Sequence, residues 1–129
     1  MTAKLIPAHI AAAITQEAAK RQSNPLREAR VLGILVAAGY SAREIAGLGG
    51  TSWDRVDLCL ALLDLVDAGK GAVREGLLPV DLAGCFARLS EANQQLMLNR
   101  WLRGDFQSAR HAERYALSVA VDEQPQVSF

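Results

Sequence analysis

The sequence has few of the residues that usually build metal sites and disulfide frameworks. Its 129 residues include two cysteines, Cys59 and Cys85, and two histidines, His9 and His111, which are far apart in the chain. Both cysteines lie among apolar residues, which favours buried free thiols and leaves a disulfide open, because the sequence alone places no bond. No Cys, His or Asp grouping has the spacing of a metal site, so we expect none.

Catalytic motifs are also missing. The glycine-rich stretch Gly47-Leu48-Gly49-Gly50 is too short for a phosphate-binding loop, and no lysine-serine pair follows it. Asp54 and Asp57 fall on one face of a predicted helix and could form an acid/base pair, but helix capping and a solvated face explain them better. We therefore predict that the protein is not an enzyme and uses no cofactor.

A net positive charge is absent as well, since 14 lysines and arginines balance 14 aspartates and glutamates. A domain that binds nucleic acid is typically basic as a whole, so the global charge does not favour that partner. The charges are unevenly distributed. Two basic segments, Lys20–Arg30 and Arg100–Arg114, flank an acidic stretch from Ser41 to Leu65.

No apolar run reaches the length that a membrane span needs. The first residues make a poor signal peptide, because Pro7, His9 and Thr15 interrupt a short apolar stretch. We therefore expect a cytoplasmic protein in a reducing compartment, with no membrane as a partner.

What the chain has in abundance favours helices. Half of its residues are hydrophobic and only 5% are aromatic, and no segment shows sustained strand alternation. Apolar residues recur at helical spacing between glycine and proline breaks such as Asn24-Pro25. We predict an all-α fold of several helices, with one domain over residues 1–121 and a disordered tail over residues 122–129.

The stretch Tyr40–Leu65 has the pattern of a helix-turn-helix, at about residues 41–65. Ser41 followed by Glu44 is a capping box at the start of a short helix. The pair Gly49-Gly50 ends that helix, since glycine tolerates the left-handed backbone of a sharp turn. One residue of Thr51-Ser52 then caps a second helix, which in a DNA-binding unit enters the major groove.

If the second helix contacts DNA, its early exposed residues face the bases: Ser52, Trp53, Arg55 and Asp57. The basic side chains that we expect at phosphates are Lys20, Arg21, Arg27, Arg43, Arg100, Arg103 and Arg110. A solvated helix face explains such arginines equally well. Trp53 leaves three interpretations open, namely burial against the preceding helix, a protein contact or a DNA contact. Trp101 has the spacing of a core residue.

Several short motifs in one order resemble the central DNA-binding domain of ParB-type partition proteins, a group that includes the KorB repressors. They are NPLREA from Asn24, YSAREIA from Tyr40, GTSWDRVDLCLALLDL from Gly50, VREGLL from Val73 and SARHAE from Ser108. The resemblance covers Glu17 to Tyr115. It implies a helical domain with a helix-turn-helix, and DNA as the partner.

The sequence also departs from that family's pattern. The family's second motif helix carries basic and polar residues, where this chain has Trp53, Asp54, Asp57 and Leu58, with Ala61 in place of a common arginine. A Gly-His-Ala-Arg stretch of the family is matched only at Ala83. The family's CTP-binding N-terminal half and C-terminal dimerisation domain have no counterpart, so we do not expect CTP binding or a sliding clamp.

Two functional hypotheses follow. The first is a helix-turn-helix DNA-binding protein that acts in transcriptional regulation or in plasmid or mobile-element maintenance. A reader of one half-site binds weakly, which implies a homodimer or a partner protein. The alternative is a degenerate helix-turn-helix that serves as a protein-protein interaction module or co-regulator and has lost autonomous DNA binding.

Overall fold

The computed structural model describes residues 4–20 and 24–124, apart from the side chains of residues 19 and 20. These residues form eight α-helices and a short 3₁₀ turn, Leu62–Asp64, with no strand among them. The helices are α1 (Ala8–Lys20), α2 (Pro25–Ala37), α3 (Ala42–Gly49), α4 (Trp53–Ala61), α5 (Asp67–Arg74), α6 (Val80–Ala87), α7 (Glu91–Leu102) and α8 (Ala109–Glu123). The all-α prediction is confirmed.

The chain divides after Leu63 into two compact units. In the first unit, α1 packs mainly on α3, and α2 packs on α4. Its core is aliphatic, and Leu35, Ile45, Val56 and Leu62 are fully buried. Two short helices bury little surface alone, so α1 and α2 supply most of the apolar surface against which α3 and α4 are held.

The helix-turn-helix begins with the predicted capping box. The Ser41 hydroxyl accepts a hydrogen bond from the Glu44 N–H at 3.1 Å, and the Glu44 carboxylate accepts one from the Ser41 N–H at 3.1 Å. At the turn, Gly50 adopts a left-handed φ of 65°. Of the two candidate caps for α4 it is Ser52 that acts, because its hydroxyl accepts from the Arg55 N–H at 3.2 Å.

Gly49 has a different role from the one that the turn suggests. It is the last residue of α3, and a Cβ built there would collide with the Cγ2 atom of the buried Thr15 on α1. Glycine is therefore required at this position for the close packing of two helices, while Gly50 alone supplies the left-handed backbone.

In the second unit, α6 packs on α7 and α8, and α5 packs on α6 and α7. Phe86, Leu78 and Met97 are its largest fully buried side chains. Trp101, which helical spacing assigns to the core, is only partly buried, and its indole N–H donates to the Leu77 carbonyl at 2.9 Å. Asp67 is the first helical residue of α5, and Val66 holds the cap position without a side-chain hydrogen bond.

Helix α8 continues two residues into the segment predicted as a tail. Residues 125–129 of that segment lie outside the described residues. Within the described ranges, no single helix is long and apolar enough to span a membrane. The pair Pro25–Ala37 and Ala42–Gly49 passes that test of length and composition together, but the chain bends by 119° between its members.

A buried glutamine closes the corner that leads into α5. Gln94 on α7 is 3% exposed. Its side-chain oxygen accepts from the Val66 N–H at 2.8 Å, and its amide nitrogen donates to the carbonyls of Asp64 and Leu89, each at 3.0 Å. Because Val66 caps α5 without a side-chain oxygen, Gln94 satisfies backbone groups that the corner leaves unpaired.

A glutamate at the end of α8 binds the start of α7. The Glu123 carboxylate accepts from the Ser90 N–H and hydroxyl, both at 2.9 Å, and from the Asn93 side-chain amide. These hydrogen bonds, that from Asn93 above all, lower the pKa of Glu123 below its ordinary value of about 4.5. The negative charge also lies at a helix N-terminus, where the helix dipole favours it.

We predict that Gln94→Leu destabilises the second unit by about 1–3 kcal/mol, because it leaves the Val66 N–H and two carbonyls without their partner. Urea unfolding followed by Trp101 fluorescence, in a Trp53→Phe background, measures the change. Gln95→Leu is the matched control, since Gln95 is exposed, and it should change stability by less than about 0.5 kcal/mol. Equal effects of the two substitutions would contradict this role of Gln94.

We predict a pH-dependent contribution from Glu123. Because its pKa is lower in the folded state, the carboxylate stabilises the fold above its ordinary pKa of about 4.5. That contribution is lost as the pH falls through the folded-state pKa. The Tm of Glu123→Gln should therefore lie below that of the wild type at pH 7, and the two should converge in acid. Glu75→Gln, at another exposed glutamate, should show no such convergence.

Candidate nucleic-acid interface

The exposed side of the helix-turn-helix is formed by the start of α4 and by part of α3. Ser52, Trp53 and Asp54 are exposed, and Asp57 is partly exposed one turn further along α4. The opposite side of α4 is buried, with Val56 fully enclosed. Helix α4 thus presents one face to solvent in the manner of a recognition helix.

Trp53 is the largest side chain on this surface. Its side chain is 48% exposed, so the interpretation that it is buried against the preceding helix is not realised. It occupies the first position of α4, directly after the Ser52 cap. A rigid aromatic ring in this place is available to a macromolecular partner, since it offers a large contact area at low conformational cost.

Arg55, predicted to face bases, makes an ion pair inside the first unit. Its Nη2 atom lies 2.9 Å from the Oε2 atom of Glu28 on α2. Glu28 is 7% exposed and the Arg55 side chain is 32% exposed. The guanidinium that we expected at the base edges therefore joins α4 to α2.

Cys59 lies one turn after Arg55 on α4 and is a free, fully buried thiol. Burial raises its pKa to about 11, and the negative charge of Glu28 adds to the increase. Cys85 in the second unit is also a free thiol but only partly buried, with a pKa that burial raises. At neutral pH Cys59 is therefore protonated and is no nucleophile.

The predicted phosphate contacts of the first unit are exposed where the structure describes them. Arg27 on α2 and Arg43 on α3 are exposed, and neither forms an ion pair with a described residue. Lys20 is the last residue of α1, and its side chain is outside the described part of the chain, as is Arg21. Arg27 and Arg43 thus each carry an exposed positive charge in the first unit.

The three arginines predicted in the second unit differ from one another. The Arg100 guanidinium lies 4.7 Å from the ring centres of both Phe106 and Tyr115, an arrangement that stabilises a cation. Arg103 pairs with Asp105 at 2.9 Å. Arg110 on α8 is exposed and has no ion pair among the described residues. Arg100 therefore contributes to packing, whereas Arg110 keeps its charge available.

Lys4, which has no local sequence signal, neutralises the acid of the capping box. Its Nζ atom lies 2.7 Å from the Glu44 carboxylate, donates to the Gly39 carbonyl at 3.1 Å and stands 4.6 Å from the Tyr40 ring centre. The hydrogen bond from Lys4 is the first cause of a lowered pKa at Glu44. The surface of α3 is consequently less acidic than its sequence indicates.

The sequence analysis does not identify Glu28 as a site residue, because its partner Arg55 is distant in the sequence. A glutamate within the basic segment Lys20–Arg30 has the pattern of a solvated charge, but its place one turn before Leu32 and two turns before Leu35 assigns it to the buried stripe of α2. That periodicity is the signal that could have identified it. Among the described residues, no group of three or more His, Cys, Asp or Glu could hold a metal ion.

The comparisons with known proteins show the fold. No protein-family model matches the sequence, and no curated protein is significantly similar to it. It is similar in structure to the DNA-binding domain of the chromosome-partitioning protein ParB in a crystal structure complexed to the centromeric parS site. The TM-score is 0.76 at 20% sequence identity, over 96% of this chain and 89% of that one. The chain therefore has the helix-turn-helix fold of a ParB DNA-binding domain, as the motifs imply.

Proposed function

We propose that the protein binds DNA through its helix-turn-helix and acts in transcriptional regulation or in the maintenance of a plasmid or other mobile element. The observation that carries the proposal is the exposed face at the start of α4, with Ser52, Trp53 and Asp57, on a scaffold that matches a ParB DNA-binding domain over 96% of the chain. The remaining faces of α4 are held by α2 and α3.

The charge distribution supports this proposal better than the net charge does. Arg27 and Arg43 are exposed without an ion pair among the described residues, and can reach phosphates. Lys4 offsets the negative charge of Glu44 at the start of α3, close to where the first helix of such a motif approaches the backbone of DNA. The repulsion between α3 and DNA is thereby reduced.

The carboxylates of α4 are suited to recognise cytosine. A carboxylate accepts a hydrogen bond from the N4 amino group of cytosine and offers no donor to guanine. We propose that Asp57 favours cytosine and that the Ser52 hydroxyl and the Trp53 ring contribute contacts without a fixed base. Few phosphate contacts imply modest affinity for one half-site, so a second copy or a partner protein would complete the complex.

Selection from a library of random DNA duplexes, followed by fluorescence anisotropy at several salt concentrations, tests the proposal. We expect Arg43→Ala to weaken binding for all sequences and to reduce the slope of log K against log salt by about one, as the loss of one phosphate contact requires. Arg74→Ala, an exposed arginine on α5 outside the proposed contacts, serves as the control and should leave that slope unchanged.

Absence of any salt-dependent binding to duplex DNA at low salt would contradict the proposal. Binding that persists with an unchanged salt slope in Arg43→Ala would instead reject only the assigned phosphate contact.

One observation favours a second candidate function, a protein-docking module. Trp53 is half exposed and Asp54 follows it directly. An aromatic anchor beside carboxylates suits a partner with an apolar pocket and a basic rim. In that case, Trp53→Ala should abolish a stoichiometric complex with a host protein while leaving DNA binding unchanged. Equal loss of DNA binding in Trp53→Ala would reject docking as the separate role of this residue.

A further inference from the structure

Glu28 is an unusual residue in the first unit because it is a buried carboxylate. It lies on the apolar stripe of α2, 7% exposed, with Leu32 and Leu35 in the next two turns. A buried charge is costly unless it is paired and hydrogen-bonded. The groups that pair with Glu28 should therefore indicate its structural role.

The side chain of Glu28 is paired with α4. Arg55 donates from Nη2 to Oε2 at 2.9 Å, and the fully buried thiol of Cys59 lies one turn further along α4. Residues four apart lie above one another on a helix, so Arg55 and Cys59 lie on one face of α4. Between them Val56 is fully buried.

Both helices also carry buried apolar side chains. Leu32 and Leu35 on α2 and Val56 and Leu62 in and after α4 are buried. A Cβ at Gly33 would lie 3.0 Å from the Cδ1 atom of Leu63, so α2 packs closely on the 3₁₀ turn that follows α4. Apolar packing sets the separation of two helices but has little directional preference, whereas a charged hydrogen bond has a defined geometry. A charged hydrogen bond between Glu28 and α4 is therefore suited to set the rotation of α4 about its own axis.

Rotation of α4 matters for the face that it presents. With an outer radius of about 5–6 Å, a rotation of about 20° moves side-chain atoms by about 2 Å. That displacement exceeds the tolerance of a hydrogen bond to a base edge. The exposed Ser52 and the partly exposed Asp57 depend on this rotation, since neither is buried.

We infer that Glu28 is a positioning residue, which sets the rotation of α4 through Arg55, and that Arg55 serves this role and contacts no base. The consequence for DNA rests on the proposed function, while the consequence for the geometry of α4 does not. In the opposite arrangement, Glu28 would hold Arg55 away from DNA until binding. Removing the Glu28 carboxylate would then strengthen DNA binding instead of weakening it.

The first test uses single substitutions and DNA. We expect Glu28→Gln and Arg55→Gln each to reduce the ratio of affinities for a selected and a random duplex by about tenfold, comparable with one mismatched contact. The salt slope of Arg55→Gln should equal that of the wild type. Tighter binding by Glu28→Gln, or a slope reduced by about one in Arg55→Gln, would overturn the inference, because either result would put Arg55 on the DNA.

The second test separates positioning from stability. Replacing a buried ion pair by apolar residues of similar volume is often neutral or stabilising, so we expect Glu28→Met/Arg55→Met to fold with wild-type stability in urea. Its affinity ratio should nevertheless fall by about tenfold. A stable double variant with the wild-type ratio would show that the pair does no more than support the fold, and would overturn the inference.

The third test needs no DNA and remains decisive if the wild type binds none. In a proton-nitrogen correlation spectrum, the indole N–H signal of Trp53, at the start of α4, should shift or broaden in the Met/Met double variant. Trp101, in the second unit and bonded to the Leu77 carbonyl, is the internal control and should not change. An unchanged Trp53 signal would refute the positioning role, whereas absence of DNA binding by the wild type would refute only the proposed function.

Discussion

The first unit depends on the way α2 holds α4. Its contact is mostly aliphatic, but it contains one buried carboxylate, and the pairing of Glu28 with Arg55 at 2.9 Å makes that burial possible. Removal of one partner alone would leave an uncompensated charge among apolar side chains. Because α4 carries the exposed face of the motif, the same interaction that satisfies Glu28 also decides which residues of α4 point outward. The ion pair between Glu28 and Arg55 thus affects both the stability of the first unit and the geometry of the candidate site.

The local elements of the fold could be predicted from the sequence, because each is encoded within a few residues. The capping box of Ser41 and Glu44, the turn at Gly50 and the cap at Ser52 depend on neighbours three or four positions away. The ion pairs that decide which charges remain exposed could not be predicted in this way. Lys4 contacts Glu44 over a separation of 40 residues in the sequence, and Arg55 contacts Glu28 over 27. Periodicity assigns a residue to a face but does not name its partner.

The second unit shows the same division between local and distant signals. Ser90 was a predictable cap for α7, while the Glu123 carboxylate that binds its N–H is 33 positions away. Arg100 and Arg103 were predicted as available cations from composition alone. One is stacked on two aromatic rings and the other is paired with Asp105, and neither interaction follows from counting charges along a helix.

These pairings decide which charges of the protein are available to a partner. An ion pair adds nothing to the net charge and little to the field outside the unit. Arg55 is offset by Glu28, Arg103 by Asp105 and Glu44 by Lys4, while Arg27 and Arg43 keep their charge. If the protein binds DNA as proposed, few phosphate contacts give weak non-specific binding. Discrimination between sequences would then rest on the geometry of α4, and therefore on the contact that orients it.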